Sequence, residues 1–283
     1  MLTRLFHGGV PGFRHIKRAG LLRQNDGMRR TERCRQLLRD GLNYEFHRGT
    51  FSIKTSIFAT TSGVVMSFSV LIAVYNQEQP HFLQQALESL LQQTQLPNEV
   101  IVVEDGPLTP ALNEVLARFQ RQYKMCKRIA KPRQEGLGLA LNEGLKHCQH
   151  DVVARMDSDD ICMPQRFEKQ LSYLQTHPEV DVVGAWVAEF ATTPTQFISV
   201  RCVPEIHQAI WQFAHFRNPM NHPTVMFRKA KVVQAGGYRH MPAFEDYDLW
   251  VRMLQQGACF HNLQECLLWF RLNANTFRRR GGV

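Results

Sequence analysis

Asp151-Val-Val-Ala-Arg-Met-Asp-Ser-Asp-Asp160 is a short apolar run that ends in three carboxylates. The run predicts a buried strand that stops at about Met156, because aspartates are poor in strands and favoured in turns. Asp157 and Asp159 then point to the same side of a locally extended backbone. A divalent cation, Mg²⁺ or Mn²⁺, would relieve their repulsion, since such ions bind carboxylate oxygens and substrate phosphates together. The alternative is an Asp-rich surface turn that caps a helix beginning at Pro164.

The positive charge of the chain is concentrated at its amino terminus. The chain has 283 residues, 44% of them hydrophobic, which is enough for one large domain or two small ones. Its formal net charge is +9, but residues 1–54 hold 12 Lys and Arg against 4 Asp and Glu, which leaves the remainder at +1 (22 against 21). Because the globular part is close to neutral, we expect no nucleic-acid partner.

The seven cysteines are scattered, odd in number and never spaced as C-x-x-C. This pattern argues against a disulfide framework or a structural zinc site and favours a reducing, cytoplasmic compartment. Residues 55–77 carry no charge, yet their first half, TSIFATTSG, is too polar to cross a membrane.

Residues 1–65 show no steady hydrophobic period, apart from a possible basic helix at Met28–Leu42. We expect this segment to be a poorly ordered basic extension, and Met66 to be the natural start of the protein. A targeting peptide is the alternative, and it is disfavoured because the segment lacks a hydrophobic region and a cleavage site.

From Met66 onward, apolar runs alternate with amphipathic segments. The apolar runs predict strands at 68–74, 99–103, 128–130 and 152–156, and the helical spacing of apolar residues predicts helices at 81–93, 110–123, 136–146 and 164–176. Strands that alternate with helices in this way predict an α/β domain with a mainly parallel central sheet flanked by helices.

Polar clusters follow three of the predicted strands. They are Tyr75, Asn76 and Glu78 after the first strand, Glu104 and Asp105 after the second, and Asp157, Asp159 and Asp160 after the fourth. In open α/β sheets the ligand lies outside the carboxyl ends of the strands. We therefore expect the three clusters to meet at one edge of the sheet and to form a ligand site there.

Five linked motifs extend this pattern: V-L-I-A-V-Y-N from Val70, E-V-I-V-V-E-D-G from Glu99, E-G-L-G-L-A-L-N-E-G-L from Glu135, V-A-R-M-D-S-D-D-I from Val153 and F-E-D-Y-D-L-W from Phe244. In this order and spacing, over about residues 68–272, the chain resembles the family 2 glycosyltransferases of bacterial surface-polysaccharide synthesis. The resemblance implies a GT-A fold in a single nucleotide-sugar-binding domain, a nucleotide-diphosphate-sugar donor, a divalent metal and inversion at the anomeric carbon.

The same resemblance implies a domain division. Residues 1–65 would be the extension and 66–283 the GT-A domain, with a nucleotide-sugar-binding half at 66–165 and an acceptor-binding half at 166–283. Relatives usually continue beyond the Arg278-Arg-Arg-Gly-Gly282 stretch, so we expect a domain truncated at its carboxyl terminus.

Carried over position by position, the family's donor-binding residues fall at the ends of the first two predicted strands and in the predicted helix at 136–146. Val74, Tyr75 and Glu78 would lie at the nucleotide base and ribose. Asp105 would accept a hydrogen bond from the N3–H of uracil or thymine. The positions where the backbone passes close to the ribose and diphosphate would be Gly138 and Asn142, and glycine leaves room for that approach. A simple helix entry is the alternative for the Gly136–Gly138 turn.

The resemblance also assigns the charged centre. Arg155 would neutralise phosphate or brace the aspartates, Asp157 would meet the sugar or ribose and the metal, and Asp159 would hold the metal against the diphosphate. The metal would neutralise the leaving nucleoside diphosphate.

Inversion needs a general base for the acceptor hydroxyl. In the family this base is the Asp of a Glu-Asp pair before an aromatic-rich helix, which corresponds here to Asp246 with Glu245 as its neighbour. The alternative is a favourable acidic helix N-terminus without catalytic function.

Two further groups have two interpretations each, and a third has one. His222, in an H-P segment, would border the sugar or acceptor, or only form a turn. Trp211, Phe213 and Phe216 would line an acceptor groove or belong to the core. Arg271 would be a second diphosphate contact.

The sequence therefore favours an enzyme that moves a hexose, most simply from a UDP-sugar, to a lipid-linked oligosaccharide in capsule, exopolysaccharide or O-antigen synthesis. The resemblance places such an enzyme at the cytoplasmic face of the membrane, with peripheral contact. One alternative is a sugar nucleotidyltransferase, although Tyr75-Asn76 stands where a glycine-rich loop is expected. The other is a non-catalytic protein, either an inactive truncated paralogue or a surface binder that acts through residues 1–54.

Overall fold

The computed structural model describes residues 66–272, and in this range strands and helices alternate along the first half of the chain. The predicted extension, the possible helix at Met28–Leu42 and the carboxyl-terminal residues 273–283 lie outside the described residues. The strands are β1 (Phe68–Val74), β2 (Glu99–Glu104), β3 (Cys126–Ala130), β4 (Val152–Asp157), β5 (Ile161–Cys162), β6 (Val182–Phe190), β7 (Phe197–Arg201), β8 (Met226–Arg228) and β9 (Phe260–Arg271). The helices are α1 (Pro80–Leu91), α2 (Pro110–Gln122), α3 (Leu137–His147), α4 (Arg166–Thr176), α5 (His207–Phe213), α6 (Lys229–Gln234) and α7 (Glu245–Gln255), with short 3₁₀ turns at Pro194–Gln196 and His222–Thr224.

The strands form one sheet in the order β3-β2-β1-β4-β8-β6-β9-β5, with β7 beside β6. The pairs within β3-β2-β1-β4 and the long β6–β9 pair are parallel, whereas β8, β7 and β5 join antiparallel. The predicted mainly parallel sheet flanked by helices is confirmed. The antiparallel strand β8 is inserted between β4 and β6.

The register of the parallel strands determines where the polar residues that follow them emerge. Val74 of β1 pairs with Glu104 of β2, and Ala73 pairs with Asp157 of β4. Three strands consequently end level, and the polar residues that follow them emerge at the same edge, as parallel pairing requires.

Both faces of β1 are buried, which explains its almost wholly apolar sequence. Val70 and Ile72 pack into a cluster with α1, α2 and α4, while Leu71 packs into a second cluster with α3, α6 and α7. Full burial of such a side chain contributes roughly 1.5–3 kcal/mol.

The sheet and α3 approach closely at Gly144. A Cβ there would collide with the Leu71 side chain and lie 2.7 Å from Cγ2 of Val103. The position therefore has room for glycine alone, and α3 lies directly on β1 and β2.

Element boundaries differ from the predictions by small amounts, except in β9. The helix predicted to run from Pro164 begins at Arg166, and the helix predicted at 81–93 is Pro80–Leu91. Strand β9 extends well before the residues from Trp269 to Leu272, which the resemblance assigns to the family's terminal strand. It runs over 12 residues because it pairs along the whole of β6. Among the helices of the described range, none has the length and apolar character that crossing a bilayer demands.

Candidate active site

A cavity of about 950 Å³ opens at the carboxyl ends of β1, β2 and β4. The residues that line it come from both sides of the sheet edge and from the segments before α7. They include ten of the residues assigned by position in the sequence: Val74, Tyr75, Glu78, Asp105, Gly138, Arg155, Asp157, Asp159, Glu245 and Asp246. Asn142 and Arg271 do not line it. One cavity thus collects groups that are as much as 172 residues apart in the chain.

Asn142 is one of these two exceptions. Its Nδ2 donates to the carbonyl of Tyr238 at 2.5 Å, and its Oδ1 accepts from the amide N–H of Tyr238 at 2.8 Å. These two bonds tie α3 to the turn before α7, and Asn142 does not line the cavity. Asn142 therefore lies behind the cavity wall, and its predicted proximity to the ribose and diphosphate stays a prediction.

Gly138 lies at the cavity wall for a related packing reason. A Cβ on Gly138 would lie 2.8 Å from the carbonyl oxygen of Arg239. Its small size accommodates the segment before α7, in addition to any room that it leaves for a ligand.

Asp105 is buried and organises the loop that leads into α3. Its Oδ1 accepts from the amide of Glu135 and its Oδ2 from the amide of Gly136, both at 2.9 Å. Lys131 Nζ lies 3.4 Å from Oδ1. Gly136 has a φ of 95°, which glycine adopts without strain. Asp105 thus holds the cavity wall in place, and its predicted contact with a base edge stays a prediction.

The aspartates after β4 form a compact acidic cluster. Oxygens of Asp157, Asp159 and Asp160 lie within 4.8 Å of one another. Burial, followed by the charges of Asp157 and Glu78, raises the pKa of Asp159 to about 7. Burial and the charge of Asp159 also raise the pKa of Asp160 well above its usual value. Full ionisation of the three carboxyl groups would therefore give more negative charge than the neighbouring groups balance.

Hard divalent cations fit this donor set, because Mg²⁺ and Mn²⁺ prefer carboxylate oxygens. Among the described residues, Oδ2 of Asp160 has no hydrogen-bond partner although it is buried. Asp157 and Asp159 line the cavity and Asp160 does not. Asp157 and Asp159 could hold the ion, with the buried carboxyl group of Asp160 behind them.

Arg155 is a buried cation beside this cluster. Its Nη2 is paired with Oδ1 of Asp157, and only 1% of its side chain is exposed. Within the described range, its Nε and Nη1 are buried without a hydrogen-bond partner. A buried donor without a partner is costly, about 1–3 kcal/mol. Two such donors on a residue that lines the cavity can hydrogen-bond an anionic or hydroxyl-bearing ligand.

Glu78 and Arg271 fix the aspartate loop from two other sides. Ser158 Oγ donates to Glu78 at 2.6 Å. Arg271 donates from its backbone N–H to Asp160 Oδ1 and from Nε to the carbonyl of Asp159, both at 2.8 Å, and its guanidinium lies over the Phe82 ring. Arg271 does not line the cavity. It braces the loop from behind. Its predicted contact with the diphosphate stays a prediction.

Asp246 lies in the first turn of α7 at the other side of the cavity. Its Oδ2 accepts from Nδ2 of Asn218 at 2.6 Å, and its Oδ1 accepts from the amide of Tyr247 at 2.8 Å. Burial raises the pKa of Asp246 to about 6; the Asn218 hydrogen bond opposes this shift and the charge of Glu245 adds to it. A carboxylate with this pKa is ionised at neutral pH and is more basic than an ordinary aspartate.

His222 lies behind Asp246. Its Nδ1 is 4.0 Å from Oδ2 of Asp246, and its Nε2 is 3.0 Å from the hydroxyl of Tyr238. Burial, with a smaller effect of Arg155, holds the pKa of His222 well below its usual value, so the imidazole is neutral. His222 lines the cavity and also begins a buried 3₁₀ turn, so both of its sequence interpretations describe part of its environment.

Asn218 and Ser158 are polar contacts of this site that the sequence motifs did not indicate. Asn218 is 28 residues before Asp246, and no local periodicity connects the two. Ser158 lies between the aspartates and was treated only as a spacer. Of the three aromatic residues considered for an acceptor groove, Phe213 lines the cavity, whereas Trp211 and Phe216 are exposed outside it.

Comparison with solved structures identifies the class of fold. The structure of residues 1–349 of S. aureus TarS in complex with UDP-GlcNAc aligns with a TM-score of 0.60 and 20% sequence identity, over 74% of this chain and 59% of that one. At this identity the likeness concerns the fold alone. The chain has the GT-A-like fold predicted from its motifs.

Comparison at the sequence level identifies the family. The model of the family described as glycosyl transferase family 2 matches residues 69–235. The Erwinia amylovora protein named amylovoran biosynthesis glycosyltransferase AmsE is 44% identical, over 76% of this chain and 80% of its own length. An Escherichia coli protein named UDP-Gal:alpha-D-GlcNAc-diphosphoundecaprenol beta-1,3-galactosyltransferase is 39% identical, over 76% of this chain and 78% of its own length. The chain belongs to glycosyl transferase family 2 and is a glycosyltransferase, so the sugar nucleotidyltransferase alternative is set aside.

Proposed function

We propose that this protein is an inverting, metal-dependent hexosyltransferase. Its donor is a nucleotide-diphosphate sugar with UDP as the nucleotide, and its acceptor is a lipid-linked saccharide at the cytoplasmic face of the membrane. The product belongs to capsule, exopolysaccharide or O-antigen synthesis. The names of the relatives support this direction, because they refer to amylovoran and to a diphosphoundecaprenol-linked acceptor.

The observation that carries the proposal is the presence of two separate carboxylate sites in one cavity. Asp157 and Asp159 line one part of it and Asp246 lines another. Arg155 is paired with Asp157, and its charge also acts on Asp246 and lowers the pKa of that carboxyl. A donor diphosphate at the aspartate pair would therefore place its sugar within the same cavity as Asp246.

The reaction then follows from the roles of these residues. The ionised Asp246 takes the proton of the acceptor hydroxyl while the hydroxyl oxygen bonds to the anomeric carbon. The bond from that carbon to the diphosphate oxygen breaks, and its electron pair leaves with the nucleoside diphosphate. Attack from the face opposite the leaving group inverts the anomeric centre. A divalent ion held by Asp157 and Asp159 would neutralise the charge of the leaving group.

The remaining residues prepare the site for these steps. Arg155 keeps Asp157 in position and offers its two unpartnered donors to the phosphates or the sugar. Asn218 and the Tyr247 amide fix the direction of the Asp246 carboxylate. Asp105 holds the loop beside the proposed nucleotide position through the amides of Glu135 and Gly136.

Titration calorimetry of the full chain with UDP tests the donor site, in the presence and absence of Mn²⁺. We expect Mn²⁺-dependent UDP binding that is lost in Asp159→Ala. Asp151→Ala is the matched control, because Asp151 is an exposed aspartate at the opposite end of β4. Binding of dTDP or GDP in place of UDP would still support a glycosyltransferase, but with a different donor nucleotide. No nucleotide binding by the folded protein would contradict the proposal.

Turnover separates an active enzyme from an inactive paralogue. UDP-hexoses are incubated with a saccharide on a short-chain polyprenyl diphosphate, and the anomeric configuration of the product is determined by NMR. A product with the configuration opposite to that of the donor is expected. UDP binding without turnover on any such acceptor would favour the inactive paralogue, and a retained configuration would exclude the inverting mechanism.

A further inference from the structure

Four large apolar side chains are exposed in two neighbouring segments of the acceptor side, and we call them the apolar rim. Phe216 is 84% exposed, Phe244 58%, Met241 42% and Trp211 38%. Phe216 has the highest exposure among the large hydrophobic residues of the described range. Single exposed hydrophobic residues are ordinary, but several that share one surface mark an interaction site.

Two hydrogen bonds hold the segments of the rim together. The hydroxyl of Tyr247 donates to the carbonyl of Ala214 at 2.6 Å, and Asn218 donates to Asp246 at 2.6 Å. The segment 211–217 therefore lies against the start of α7, directly after Phe244. The two contacts make the segments that carry the rim neighbours in the fold.

The rim is continuous with the mouth of the cavity. Met241, a member of the rim, lines the cavity, as do Phe213 and Arg217, which belong to the same segment as Trp211 and Phe216. Glu245 and Asp246, which also line the cavity, follow Phe244 without a gap. Whatever contacts the rim is therefore next to the opening that leads to the candidate base.

The charge of the two segments has one sign. Residues 211–217 and 239–244 contain Arg217, Arg239, His215 and His240, and neither segment contains an aspartate or glutamate. Arg217 and Arg239 are exposed; Arg239 lies 3.8 Å from Asp248 at its inner side. Aromatic and aliphatic side chains with basic neighbours are the composition that favours an anionic membrane surface.

We propose that the apolar rim docks this protein onto an anionic phospholipid bilayer. Phe216, Phe244, Met241 and Trp211 enter the boundary between headgroups and acyl chains, and Arg217 and Arg239 contact the lipid phosphates. This orientation turns the cavity mouth towards the membrane, where a lipid-linked acceptor would present its sugar to Asp246. The purpose of docking rests on the proposed function, but docking itself is measured separately.

Vesicle co-sedimentation of the full chain tests the docking surface. The vesicles contain phosphatidylcholine with about one third phosphatidylglycerol, at near-physiological salt. The rim variant is Phe216→Ser with Phe244→Ser. The control variant is Leu96→Ser with Met125→Ser, because these two side chains are 51% and 50% exposed near the amino-terminal ends of β2 and β3, at the edge of the sheet away from the cavity. The basic residues 1–54 are present in every sample and contribute equally.

We expect the rim variant to lose vesicle binding by about tenfold or more, given the apolar area that two aromatic side chains remove from water. The control variant should bind as the unchanged protein does. Equal binding by the rim variant, or an equal loss in the control variant, would overturn the proposal. A concentration-dependent dimer in the unchanged protein that the rim variant abolishes would assign the surface to a second copy of the chain and would also overturn it.

Kinetics distinguish failure of docking from failure of the proposed function. With an acceptor embedded in vesicles, the rim variant should raise KM, whereas with a water-soluble short-chain acceptor its kcat and KM should stay unchanged. A loss of kcat on the soluble acceptor would show damage to the site itself and would contradict a pure docking role. If neither the unchanged protein nor the rim variant shows turnover, a difference in their vesicle binding still decides the docking proposal.

Discussion

The two acidic centres of the cavity are built in opposite ways. At the aspartate cluster, Asp157, Asp159 and Asp160 lie within 4.8 Å of one another, and Arg155 is paired with Asp157 alone. At Asp246, each carboxylate oxygen accepts one hydrogen bond from the protein, and the neutral His222 stands behind it. The first centre keeps unbalanced negative charge and suits a cation; the second is oriented and moderately basic, and suits a proton. The chemistry of a carboxylate is thus set by its surroundings rather than by its identity.

The largest expected effect is that of Asp246→Asn. This change keeps the shape of the side chain and removes its basicity, so kcat should fall by roughly 10²–10⁴-fold, the usual contribution of a general base. Calorimetric binding of UDP with Mn²⁺ should stay unchanged, since the aspartate pair is intact. Loss of UDP binding together with activity would mean that the two centres are not separate in function.

The pH dependence of the unchanged enzyme gives the next effect. The base acts as a carboxylate and its pKa is raised to about 6, so kcat at saturating donor and Mn²⁺ should be constant above about pH 7. Below pH 6 it should fall about tenfold per pH unit, as Asp246 becomes protonated. His222 stays neutral through this range and does not contribute. A profile without an acid limb would exclude Asp246 as the base.

Asn218→Leu should shift the acid limb of the pH profile of kcat rather than abolish activity. The hydrogen bond from Asn218 favours the ionised carboxylate. Its removal should raise the pKa of Asp246 by about one to two units, since such a bond contributes roughly 1.5–3 kcal/mol. The pH profile should move in the alkaline direction, with activity recovered at higher pH. Asn113→Leu is the control for an amide lost elsewhere, because Asn113 does not line the cavity. A uniform loss of activity at every pH would point to a structural defect instead.

The smallest expected effect is a change in Tm at the aspartate cluster, and the sign of that change tests whether the cluster suits a cation. Asp159→Asn removes one of three crowded carboxyl groups whose ionisation is mutually unfavourable. In the absence of metal it should therefore raise Tm by about 2–4 °C at about pH 8, the change that about 1 kcal/mol produces in a chain of this size. Mn²⁺ should raise Tm in the unchanged protein and not in the variant. Thermal unfolding with and without EDTA measures both. A lower Tm for the metal-free variant would show that Asp159 is balanced by contacts within the protein.

The elements that the sequence predicted well are those whose local pattern agrees with their burial. Strand β1 is apolar on both faces because both faces are covered, so its bounds, Phe68–Val74, follow from the sequence directly. The aspartates after β4 were predicted on the cavity because parallel strands end at one edge. Asp246 was placed by resemblance, since an acidic first turn of a helix has no single meaning.

The remaining features depend on contacts between distant segments. Asn142 belongs to a motif that the resemblance assigned to the donor, but its amide is used by the backbone of Tyr238, 96 residues further on. Asn218 approaches Asp246 because Tyr247 fastens the end of α5 to the start of α7. Strand β9 is long because of β6, not because of its own mixed sequence. Such pairings arise from tertiary packing and leave no periodic signal in either partner.

The strand β8 has a mechanical consequence for the enzyme. It pairs with β4 on one side and with β6 on the other, and the amide of Arg155 donates to the carbonyl of Val225 at 2.9 Å, just before β8 begins. The strand that carries the aspartate pair and the segment that follows Asn218 and His222 are therefore parts of the same hydrogen-bonded lattice. Opening the cavity by rotating one half of the domain against the other would break that lattice. Substrate entry and product release should instead use the loops at its mouth, which leaves the separation between the cation centre and the base constant through the catalytic cycle.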